Sequence, residues 1–141
     1  MTTMQLRKKS RDSVYKLIYE YLFSGEVNEK TLSLMLAGDM PMSEIDYINT
    51  VYHGVIDNID SLKATVKEYA RAFDIDRIYK LDLAALLLAI YEMKYMDDIP
   101  MGTSICEAVE LVKLYSTEKS NVFVNGVLSS VYKELTANND R

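Results

Sequence analysis

The nine residues 83–91, LAALLLAIY, carry no charge and lie inside the longer run LDLAALLLAIYEMKYM. A helix that is apolar on every side must be wrapped by other helices or by lipid. Nine residues before Glu92 fall well short of the roughly 20 that span a bilayer, so no membrane segment is expected here. The stretch therefore reads as the post around which an all-α domain is built.

The rest of the chain suits that post. With 141 residues it can form one domain of ordinary size, or two small helical halves sharing a core. Two prolines and five glycines leave little room for long irregular loops, and the abundant Leu, Ala, Glu and Lys favour helix. The formal charge of −5 is unevenly spread. Residues 1–16 hold Arg7, Lys8, Lys9, Arg11 and Lys16 against Asp12 alone, a net +4, which leaves −9 on the remainder. A basic arm on an acidic body marks either a polyanion contact or a solubilising tail. One cysteine, Cys106, and one histidine, His53, exclude an intrachain disulfide and argue against a metal site built from those ligands. Lys16 and Glu20 interrupt any apolar run after the basic start, so no signal peptide is expected and the cytoplasm is the default compartment.

Apolar spacing sets the helices. Val14, Leu17, Ile18, Tyr21 and Leu22 predict a first helix over residues 7–23. Arg7 and Arg11 continue its line backwards, placing cations in a first turn whose dipole opposes them, which suggests an external anion. Asn28 should cap a short helix over 29–37. Ser43 opens a long periodic stretch with Ile48, Val51, Tyr52, Val55, Ile59, Leu62, Val66, Tyr69 and Phe73 on one face, broken near 57–61, where Asp60 or Ser61 would cap a new helix. Asp82 falls in the first turn of the central helix, where a carboxylate is favoured; that helix stops before Pro100. Ser104 and Glu107 form a capping-box pattern for the next helix, with Glu107 and Glu110 on its solvated face. In the last helix Val124, Val127, Leu128, Val131 and Leu135 make the buried stripe, with Phe123 and Asn125 about 100° to either side. Gly126 falls opposite the stripe, either in an irregular first turn or where a partner backbone or ligand comes close.

The run ALLLAIYEMKYMDDIPMGTSICEAVELVKLYSTEKSNVFVNGVLSSVYKEL resembles the bacterial transcription antitermination factor NusB in order and spacing. It has a Tyr-Glu helix, an acidic-Ile-Pro joint, a Glu-Ala-Val-Glu-Leu helix and a closing Phe-Val-Asn-Gly-Val-Leu. The N-terminal RKKSRDSVYKLIYEYLF is similar to the family's basic start and aromatic first helix, while residues 25–75 match only in length and pattern. The resemblance implies an all-α fold of two small bundles packed together, with halves at about 1–73 and 76–137 of one NusB-like domain spanning 1–141. It implies a non-enzymatic role without a cofactor: binding the boxA element of ribosomal RNA leaders jointly with NusE, a ribosomal small-subunit protein, and joining the RNA polymerase antitermination complex. It maps RNA contacts onto Arg7, Lys8, Lys9, Arg11, Phe123 and Asn125, and NusE contacts onto Tyr19 and Asp82. Lysines replace some of the arm's usual arginines, Cys106 a usual asparagine, Lys119 a common acid, and Leu87 a frequent arginine.

Two other functions fit a chain of this kind. One is an RNA-binding accessory domain of an rRNA cytosine methyltransferase, an enzyme that would itself need a Gly-rich cofactor loop, which this sequence lacks, and a nucleophile. The sequence offers only Cys106, which has no positive neighbour and reads as a buried structural thiol. A homodimeric protein-interaction module without RNA binding would bury the RNA face in its own interface.

Overall fold

The computed structural model describes residues 1–71 and 74–139, the side chains of Asn138 and Asn139 apart. Phe73 therefore lies outside the described residues. The described chain forms seven α-helices: α1 Thr3–Ser24, α2 Glu29–Met35, α3 Met42–Asp57, α4 Ile59–Tyr69, α5 Lys80–Tyr95, α6 Met101–Tyr115 and α7 Ser120–Asn139. A single 3-10 turn, Ile75–Arg77, precedes α5. None of the described helices is long and apolar enough to cross a membrane.

α5 is the post that the sequence requires. Every residue from Asp82 to Met93 is buried, and α1, α3, α4, α6 and α7 all pack against it. Each leucine sequestered in this way contributes roughly 1.5–3 kcal/mol of transfer free energy. α3 meets α5 at Gly54, where an added Cβ would fall 2.3 Å from the Tyr91 ring; the glycine leaves room for that side chain.

Helix boundaries depart from expectation where capping chemistry intervenes. α1 begins four residues earlier than predicted, because Thr2 accepts from the Gln5 N–H and the Gln5 side chain accepts from the Thr2 N–H. Arg7 and Arg11 thus lie beyond the first turn, and the expected dipole penalty lapses. Asn28 caps α2 through the Thr31 N–H, as its position predicts. The α3–α4 break falls at Asn58, whose side chain donates to the Gly54 carbonyl, and neither Asp60 nor Ser61 caps α4. α6 starts at Met101 directly after Pro100. Proline preorganises that start, so Ser104 is no cap and turns inward instead. Gly126 lies within α7, with open space where a Cβ would stand.

Candidate nucleic-acid interface

The basic stretch of α1 divides by helical phase. Arg7 and Arg11, four residues apart, share the face turned toward α3 and α5. Arg11 is only 4% exposed, and its guanidinium donates to both oxygens of Glu92 at 2.8 and 3.3 Å. Glu92, itself 1% exposed, also accepts from the Tyr47 hydroxyl and, at 2.7 Å, from Ser104. Burial, followed by the Glu92 charge, pushes the Tyr47 hydroxyl well above its usual pKa, so it remains a donor. Arg7 donates to Glu44 at 2.9 and 3.2 Å and lies over the Tyr47 ring, 4.3 Å from its centroid. The Arg7 hydrogen bond, with help from Ser10 and Ser43, holds the Glu44 carboxyl below its ordinary range. The expectation that Arg11 faces an external anion is corrected: it neutralises a carboxylate inside the protein, and Arg7 is only partly open.

The lysines point outward. Lys8 donates to Glu107 of α6 at 2.7 Å, and Arg11 Nη1 lies 3.7 Å from the other Glu107 oxygen. Glu107 is therefore not on a solvated face, as its neighbour Glu110 is; α1 covers it. Lys9 is exposed and has no ion pair among the described residues.

From Lys8 a chain of clefts follows the α1–α6 seam. The first, about 390 Å³, is lined by Lys8, Asp12, Glu107, Leu111 and Leu114 among others. Its Asp12 accepts from Tyr115 at 2.6 Å and pairs with Lys16 at 2.8 Å. Tyr115 in turn walls a second cleft of about 530 Å³ together with Tyr19, Phe23, Tyr79 and Lys80. Phe23 and Tyr79 are exposed there, Tyr19 meets Phe23 edge-on at 4.9 Å, and the Lys80 ammonium sits 5.0 Å from the Phe23 ring centre. A third cleft of about 230 Å³ shares Arg77, Ile78, Tyr79 and Thr117 with the second and ends at Lys119, Ser120 and Phe123.

Asp82 lies at the floor of the third cleft. Its carboxylate is buried and accepts from Ser116 at 2.7 Å and Ser120 at 3.0 Å, which pins the corner between α6 and α7. It is not a surface acid, and Ser120 beside it is just as buried. Phe123 is half-buried at one margin of α7 and Asn125 exposed at the other, about 200° apart around the helix. The shortest path between them over the outer surface passes between Gly126 and the exposed Val122. Cys106 is exposed, which corrects the expectation of a buried thiol.

A sequence model of the NusB family matches residues 8–133. The chain belongs to the NusB family. It is 40% identical over 128 residues to the transcription antitermination protein NusB of Acetivibrio thermocellus, covering 90% of this chain and 88% of that protein. Its structure is similar to that of Thermotoga maritima NusB, with a TM-score of 0.85, 29% identity and 91% of each chain covered. A crystal structure of the antitermination factors NusB and NusE in complex with double-stranded RNA matches at a TM-score of 0.81, with 25% identity and coverage of 94% of this chain and 99% of that one.

Within this NusB-family chain, sequence reasoning missed the acids that hold the arm, Glu44, Glu92 and Glu107, and the aromatics Phe23, Tyr79 and Tyr115 of the second cleft. One signal for Glu92 was available: it is the first charge after the apolar run of α5, and a carboxylate on a fully wrapped helix needs a cation. No comparable signal marks Glu44, which pairs across 37 residues of sequence. Among the described residues, no group of three or more His, Cys, Asp or Glu side chains is placed to hold a metal.

Proposed function

We propose that this NusB-family protein is an RNA-binding transcription antitermination factor that holds boxA-type leader RNA jointly with NusE and joins the RNA polymerase antitermination complex. The observation that carries this reading is the succession of clefts from Lys8 to Phe123, the first joined to the second through the Asp12–Tyr115 hydrogen bond and the second to the third through shared walls, with Lys9 exposed beside its start. Exposed lysines supply the sequence-independent attraction to phosphate, and Phe123 offers an aromatic surface for an unpaired base. A strand leaving Phe123 reaches Asn125 by passing between Gly126 and Val122, where the missing side chain of Gly126 lets it approach the helix backbone. Asn125 can then read a base edge through its amide. The second cleft, with Tyr19, Phe23, Tyr79 and Tyr115, supplies the apolar and aromatic surface that suits the protein partner. Arg11 and Asp82 serve this surface from beneath, the first by fixing α1 against α5 and the second by fixing the α6–α7 corner.

The test is binding of a boxA-type RNA against a scrambled RNA of equal length, each as single strand and as duplex, with NusE present. The expected result is a preference for the single-stranded boxA sequence. In Phe123→Ala binding should weaken by about 1–3 kcal/mol, the value of one stacked base. Equal binding of all four RNAs, untouched by Phe123→Ala, would overturn the reading. A dimer in sedimentation that neither NusE nor RNA disturbs would favour a protein-interaction module instead.

A further inference from the structure

Three carboxylates from other helices meet the cations of α1, and they are not equivalent. Glu44 and Glu92 are buried, and their pairs with Arg7 and Arg11 close the interior. The pair between Lys8 and Glu107 lies at the rim, with side chains 48% and 17% exposed, and lines a cleft open to solvent. Glu107 is also tethered. Arg11 Nη1 stands 3.7 Å from its second oxygen, and Arg11 is itself fixed by Glu92. The Glu107 carboxylate is thus held against Lys8 by a buried cation, at 2.7 Å, the distance at which a phosphate oxygen would bind the same ammonium.

We infer that Glu107 is an internal rival of the RNA backbone: it engages Lys8 in the free protein, and a phosphate must compete with it for that ammonium. This inference rests on the RNA-binding reading above. Lys9, which has no such rival among the described residues, makes the first phosphate contact, and Lys8 follows most readily for a strand whose other contacts offset the loss of its pair. Glu107 thereby sets how firmly an arbitrary polyanion can hold the arm.

The experiment measures affinity against salt for a boxA-type RNA, with NusE present, using wild type, Glu107→Gln, Glu110→Gln, Lys8→Ala and the Lys8→Ala, Glu107→Gln double variant. Glu110 lies on the same helix, exposed, and its near cation is Lys113 at 3.8 Å rather than any residue of the arm, so its variant removes an equal charge without releasing Lys8. Glu107→Gln should bind about two- to fivefold more tightly, the worth of one partly exposed ion pair. Its log–log salt slope should steepen by about 0.7, one more phosphate contact on a single strand. Glu110→Gln should change both less, and the gain should vanish in the Lys8→Ala background. Equal effects of Glu107→Gln and Glu110→Gln, a gain that survives without Lys8, or a lower melting temperature with unchanged affinity would each overturn the inference. A wild type that binds no RNA would instead fell the functional reading, and this inference with it.

Discussion

Arg7 and Arg11 on one side of α1, and Lys8 and Lys9 on the other, come from the same five-residue stretch and do opposite work. The arginines turn inward, where the planar fork of a guanidinium matches a carboxylate at two points: Arg7 on Glu44, Arg11 on Glu92. The lysines turn outward, where a strongly hydrated ammonium costs little to leave in water. A cluster of cations in sequence is therefore not one electrostatic feature. Helical phase splits it into a part that locks α1 to α3 and α5 and a part at the surface, where Lys8 meets Glu107 of α6 and Lys9 is exposed.

The split can be broken most forcefully at Glu92. Glu92→Ala strands a buried guanidinium and should cost about 3–5 kcal/mol in urea denaturation. Replacing the pair together, as Arg11→Met with Glu92→Leu, should recover most of that loss. If Glu92→Ala were neutral, the inward face would not be structural at all.

Acid sharpens the same comparison at Arg7. Because Arg7 holds the Glu44 carboxyl below its ordinary value of 4.5, the pair stabilises the folded state above that pH. Its contribution is lost as pH falls through the lowered folded value. Glu44→Gln should flatten this part of the stability–pH curve, and an unchanged acid limb would assign it to other groups.

Smaller effects test the outward side. Gly126→Ala fits the open space in α7 and should raise stability by about 1 kcal/mol, since glycine is a poor helix former. The same change should weaken RNA binding if the strand passes over that backbone, and a gain in both would remove Gly126 from the path. Smallest of all, Lys8→Ala with Lys9→Ala should shift stability by no more than about 0.5 kcal/mol, as surface changes do.

Much of the fold was legible in the chain. The charge-free run of α5, the stripes of α1 and α7, the Asn28 cap and the break beside Asn58 all follow from periodicity and local hydrogen bonding. What was not legible depends on partners far away in sequence. Arg11 has the local pattern of a surface cation, and only Glu92, 81 residues on, makes it interior. Ser104 and Glu107 carry the letters of a capping box, yet Pro100 starts the helix four residues earlier, leaving Ser104 free to donate to Glu92. Asp82 has the signature of a dipole-favoured first-turn acid, and its serine partners on the α6–α7 corner could not be read from its own helix. Of the candidate interface, the sequence marks Lys8 and Lys9 as part of a basic arm and Phe123 as a margin of the α7 stripe, and their RNA role rests on the family resemblance. The aromatic cleft was not legible, because Phe23, Tyr79 and Tyr115 come from three separate segments.

The most direct test of the central claim is the salt dependence of boxA-type RNA binding, with NusE present, for wild type and the Lys8→Ala, Lys9→Ala variant. The account predicts weaker binding and a log–log slope shallower by about 0.7 to 1.4, one to two phosphate contacts on a single strand, with melting unchanged. Equal affinity and parallel slopes would show that the outward face of α1 does not hold the RNA, and would contradict the account.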